Sequence, residues 1–181
     1  MRRVSGASYP FRHINPGGKE VYKSKTRSLA LMGVYAALYA VLVVVFQPIS
    51  FSALQFRVAG VLRPAIARRR ELALAYAAGV LAANFFSPFA GGYELVFMPL
   101  MSLVAGVAGH EAAKRLGGGY YTCGVVVAVI IPLSVAWMLN QLLGLPVVVT
   151  LPGLLVSEQL VNLLGATIFR EVDKRSRWWE F

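Results

Sequence analysis

The sequence predicts an all-α membrane protein, a bundle of six transmembrane helices with both termini in the cytoplasm. Three observations predict it. Of 181 residues, 57% are hydrophobic and only 14% are charged, with a mean hydropathy of +0.63, whereas soluble domains carry about 25% charged residues. The apolar residues fall in long runs nearly free of charge, the pattern of helices that meet lipid. The Lys and Arg side chains gather in the gaps on one side of the predicted membrane. Together these exclude a soluble exported domain.

The first 27 residues form a basic cytoplasmic tail, suited to anionic lipid headgroups. Arg2, Arg3, Arg12, Lys19, Lys23, Lys25 and Arg27 are mixed there with Pro10, Pro16, Gly17 and Gly18. No apolar stretch begins before Leu29, so the segment is not expected to be a cleavable signal. The membrane domain covers 28–170, and 171–181 is a second cytoplasmic tail.

A spanning helix needs about 20 mostly apolar residues. Ser28–Phe46 supplies the first, ended by Gln47-Pro48. Ala53–Ala67 is the weakest of the six, because it holds Arg57, Arg63 and Pro64. Glu71–Phe86, Tyr93–Ala113, Tyr120–Leu143 and Val147–Phe169 complete the set. Pro99 and Pro132 lie inside the fourth and fifth, where neighbouring groups can satisfy the freed carbonyls.

The loops test the count. With a cytoplasmic amino terminus, the inner segments are 1–27, the region around 63–70, 114–119 and 170–181. They hold every Lys and Arg of the chain except Arg57. The outer loops 47–52, 87–92 and 144–146 hold none. Removing the doubtful second span would reverse the later loops and break the charge rule. The net charge of +10 is therefore accounted for without nucleic acid. Trp178 and Trp179 stand where interfacial anchors belong.

Polar side chains inside spans cost free energy, about 2.5–3.5 kcal/mol for a central charge. Gln55 and Arg57 open the second span at its outer end, and Asn84 lies near the outer end of the third. Glu94 starts the fourth, and Asn140 and Gln141 end the fifth. Glu158 and Asn162 share one face of the sixth, with Glu158 about 16 Å below its outer end. Five helices thus bring polar groups mainly to the outer half, while the inner halves are Ala, Val and Leu. A pocket open to the outside follows, and an open channel does not. Arg57 and Glu94 can also be read as snorkelling interfacial residues or as a salt bridge. Asn140 and Gln141 also suit ordinary helix ends. Glu158 lies so deep that it needs a partner, a proton or water.

The first span has no charged residue after Ser28. Its small residues recur as Ala36-x-x-x-Ala40 and Gly33-x-x-x-Ala37, a spacing that lets two membrane helices approach closely. Ala73/Ala77 and Ala105/Gly109 repeat it, so internal packing accounts for it equally. Cys123 has no second cysteine to pair with and reads as a small buried hydrophobe. Gly17-Gly18-Lys19-Glu20 lacks the upstream glycine and the hydroxyl of a phosphate loop, and His110-Glu111 lacks the second histidine of a zinc-protease helix. No nucleophile–base arrangement stands out. No enzyme, cofactor or metal site is therefore expected.

Ala37-Leu38-Tyr39-Ala40-Val41-Leu42, Pro48-Ile49-Ser50-Phe51 and Leu54-Gln55-Phe56-Arg57-Val58 resemble the queuosine-precursor transporter family. So do Ala83-Asn84-Phe85-Phe86-Ser87-Pro88-Phe89 and Glu94-Leu95-Val96-Phe97. The likeness is densest over 36–106, and Glu158 stands in a matching acidic position. The chain departs from the family at Ala59-Gly60, where Ser-Glu is common, at Ser157, where glycine is usual, and at Glu94, where aspartate is frequent. The resemblance implies a substrate-binding (S) component of an energy-coupling-factor (ECF) importer in the cell membrane. Such a component captures a 7-deazaguanine from outside and works with a transmembrane coupling subunit and two ATPase subunits. It implies substrate binding by Gln55, Arg57, Asn84, Glu94, Asn140, Glu158 and Asn162. It also implies docking of the coupling subunit on Ala36 and Ala40. An S component for another vitamin, and a membrane scaffold with no small ligand, remain the alternatives.

Overall fold

The computed structural model describes residues 19–50, 57–176 and 178–179, with side chains from residue 25 onward except at 49 and 50. Among these residues every regular element is helical. Helix α1 (Lys19–Val45) is followed by a single turn, α2 (Gln47–Ser50). A 3-10 helix (Val58–Ala67) precedes α3 (Glu71–Asn84). A π-helical turn (Tyr93–Phe97) runs directly into α4 (Met98–Leu116), and α5 (Gly119–Leu143) and α6 (Val147–Arg175) close the chain.

Among the described residues, four helices are long and apolar enough to cross a membrane: Lys25–Val45, Tyr93–Leu116, Gly119–Leu143 and Val147–Arg175. The expected second and third spans are shorter apolar helices, Val58–Ala67 and Glu71–Asn84. At about 1.5 Å per residue the latter reaches about 21 Å, less than the roughly 30 Å of a hydrocarbon core. The outward faces of the long helices are apolar, with Val34, Val41, Leu100, Val104, Leu133, Val156 and Leu160 all exposed. That surface suits lipid and not water.

The expected second span differs most. It winds as a ten-residue 3-10 helix, where such helices are seldom longer than three or four residues. It lies in the interior, packed by α1, α4, α5 and α6, and buries Ala59, Gly60, Leu62, Arg63, Pro64, Ala65 and Ile66. Arg63 is therefore not an inner-loop residue as its position in the charge pattern suggested. It is 0% exposed. Pro64 has no N–H, so the Val61 carbonyl lacks its i+3 donor. Gly165 of α6 lies directly on that carbonyl. A Cβ added there would stand 2.1 Å from the Val61 oxygen, so only glycine allows the contact.

Glycines also set the other close helix pairs. Gly79 of α3 meets the Ala36 carbonyl of α1, Gly106 of α4 meets Ala73 of α3, and Gly109 of α4 meets Cys123 of α5. Cys123 is buried, with Sγ 3.9 Å from the Arg63 carbonyl. At the far end of the 3-10 helix, Arg68 pairs with Asp173 at 2.5 Å and lies over the rings of Tyr120 and Trp179. Trp178 packs on Phe169. The last turn is thus folded back onto the bundle.

Candidate functional site

Polar side chains inside the bundle form two layers. The outer layer starts from the π turn. Within it, the Met98 N–H bonds to the Tyr93 carbonyl, one residue beyond the α-helical partner. The Glu94 carbonyl therefore loses its i+4 donor, and its i+5 neighbour is Pro99, which has no N–H. Asn84 of α3 fills the gap, its Nδ2 donating to the Glu94 carbonyl at 2.7 Å. Both residues are 0% exposed. Asn84 Oδ1 and both Glu94 carboxylate oxygens are buried with no hydrogen-bond partner among the described residues. Buried polar atoms are rarely left so, and π turns recur at functional sites.

The inner layer lies about 12 Å further along, at the level of Tyr76, eight residues along α3 from Asn84. Its centre is Arg63, which pairs with Glu158 of α6 through Nη1 and Oε2. Arg63 Nη2 donates to the Tyr39 hydroxyl of α1 at 3.2 Å, and its guanidinium stands over the Tyr76 ring of α3, 5.4 Å from the centroid. Tyr39 and Tyr76 meet edge to face at 5.1 Å. Asn162 donates to the Glu158 carbonyl at 2.8 Å and to its Oε2 at 3.1 Å. Glu158, 4% exposed, thus has the partner that its depth demands.

Asn84 with Glu94, and Glu158 with Asn162, are brought together as two separate groups. Arg57, at the head of the 3-10 helix, is buried. Asn140 is half-buried at the end of α5, its amide committed to the Leu145 carbonyl at 3.0 Å in the turn to α6. Gln55 lies outside the described residues. Ala36 and Ala40 are half-buried and pack towards the core, with the Ala36 carbonyl against Gly79 of α3. The outward small pair on α1 is Gly33 with Ala37, both exposed, and nothing lies within 4 Å of a Cβ placed at Gly33. The helical period turns one pair inward and the other outward.

Sequence reasoning missed Arg63, Tyr39 and Tyr76. The available signal was an arginine beside a proline in an otherwise apolar segment, together with two tyrosines four apart, Tyr35 and Tyr39, on the first helix. Tyr35 also turns inward, donating from its hydroxyl to the Leu62 carbonyl at 3.1 Å. No group of three or more His, Cys, Asp or Glu suited to a metal occurs among the described residues.

Helices alone among the described residues, apolar outer faces and enclosed polar layers define a multi-pass membrane protein. Its particular kind follows from comparison with known proteins. The chain belongs to the QueT transporter family, whose family model matches residues 29–174. It is a transporter and not an enzyme. No curated protein and no solved structure matches it.

Proposed function

We propose that the protein is the S component of an ECF importer in the cell membrane, capturing a queuosine precursor of the 7-deazaguanine type from outside. Both termini then face the cytoplasm, a reading that the Lys and Arg distribution supports. The observation that supports the reading is the buried Glu94 carboxylate and the buried Asn84 Oδ1, none of whose oxygens has a hydrogen-bond partner among the described residues, on two residues joined by the Asn84 bond to the Glu94 carbonyl. A carboxylate with both oxygens open accepts two parallel N–H groups through charge-assisted bonds, which the guanine-like edge of a 7-deazaguanine supplies. The Arg63–Glu158 pair, with Asn162, forms the floor of the pocket. The coupling subunit docks on the outward Gly33/Ala37 stripe of α1, and two cytoplasmic ATPase subunits supply the energy.

The test is thermal unfolding of the detergent-purified chain against 7-deazaguanines, folate-like and thiamine-like compounds. A compound bound only by the folded state, at 100 times its dissociation constant, adds about 2.7 kcal/mol. A shift with a deazaguanine that is lost in Glu94→Gln supports cargo and site together. A shift with a different vitamin keeps the importer and changes the cargo, and no shift with any compound removes the reading.

A further inference from the structure

We infer that Pro99 is a positioning residue for cargo recognition, acting through the Glu94 carbonyl and the Asn84 amide. As in the importer proposal, on which this role rests, cargo meets the outer polar layer.

The steps run from the backbone outward. Met98 gives its N–H to Tyr93, and residue 99 has no N–H to give, so the Glu94 carbonyl is open to a side chain. The 2.7 Å contact with Asn84 then fixes the amide's orientation, because only the NH2 end can face a carbonyl. Asn84 Oδ1 must point the opposite way, and it is there that it is buried without a partner among the described residues. The same wide turn carries the buried Glu94 carboxylate. Asn84 Oδ1 is thus held in one orientation, on the turn that also carries the two open Glu94 oxygens, by a residue that offers cargo no polar group. A site made of such acceptors selects a ligand edge made of adjacent N–H donors, as in a 2-aminopyrimidin-4-one ring. It rejects the isostere that presents acceptors there.

The decisive variant is Pro99→Ala, which returns an N–H to residue 99 and lets the turn relax towards α-helical winding. Pro132→Ala, in the middle of α5, is the matched control. The full chain in detergent is titrated with 7-aminomethyl-7-deazaguanine, and ligand-free unfolding is followed in parallel. Pro99→Ala should weaken binding by about tenfold, the worth of one buried hydrogen bond. Its ligand-free melting temperature should equal or exceed that of the parent, because a helix-interior proline has been removed. Pro132→Ala should bind like the parent. Parent-like binding by Pro99→Ala overturns the role, and so does weakened binding accompanied by a lower melting temperature, which marks a merely structural proline. A parent that binds none of the compounds sinks the importer reading by itself. The turn is then judged without ligand: Asn84→Leu should destabilise the parent, and that loss should shrink in the Pro99→Ala background, where residue 99 can satisfy the Glu94 carbonyl. Equal losses in both backgrounds overturn the positioning.

Discussion

Glu94 and Glu158 are both buried carboxylates, and their surroundings give them opposite duties. Glu158 is neutralised by Arg63 and tied to Asn162, whereas the Glu94 carboxylate has no hydrogen-bond partner among the described residues. Removing one partner of a buried pair leaves the other charge stranded, at a cost of about 3–5 kcal/mol, while replacing both with apolar groups is often neutral. Glu158→Leu should therefore lower the unfolding stability by about that amount, and the double variant Arg63→Met/Glu158→Met should return close to the parent. Denaturant titration in detergent measures both. A double variant as unstable as the single one would mean that the charges themselves are needed for the fold. Glu94→Gln should behave the other way, weakening cargo binding by about tenfold or more with ligand-free stability unchanged or raised.

At the scale of the element, the 3-10 helix carries Arg63 to the centre of the bundle, and α6 lies against it through Gly165. With the Val61 oxygen 2.1 Å from a Cβ at that position, Gly165→Leu forces the two elements apart. Overpacking of this kind costs about 1–3 kcal/mol, so a lower melting temperature is expected and calorimetry would register it. A parent-like melting temperature would mean that α6 shifts without penalty. The long helices were legible in the sequence because hydropathy alone decides them, as in Tyr120–Leu143 against the observed Gly119–Leu143. Ala53–Ala67 was legible only as irregular, since two arginines and Pro64 break the apolar pattern without saying what replaces a spanning helix. The depth of Glu158 showed that it needed a partner. It could not show that the partner was Arg63, 95 residues away in the chain, because such pairing arises only from packing. The π turn was equally hidden: Pro99 could be seen, but a proline can kink, stop or widen a helix. For the same reason the outer pair Asn84 and Glu94 could be named as pocket residues while their joining hydrogen bond could not.

At the scale of the whole molecule, α1 offers its Gly33/Ala37 side outward while Ala36 and Ala40 pack inward. If α1 docks the coupling subunit, Gly33→Leu should abolish co-purification with that subunit and ATP-driven uptake. Cargo binding by the isolated chain should be unaffected, since a Cβ placed at Gly33 has nothing within 4 Å. Retained co-purification would place the docking surface elsewhere. The enclosure of Cys123 has a practical counterpart. It is the chain's one cysteine, and it is buried between α4, α5 and the 3-10 helix. A maleimide should leave the folded protein unmodified and label it once per chain in denaturant, which mass spectrometry would read directly. The natural sequence is therefore a ready background for spin labels or fluorophores on single introduced thiols. A probe on the lipid side of α1 could report on that helix in a bilayer without any native residue having to be replaced first.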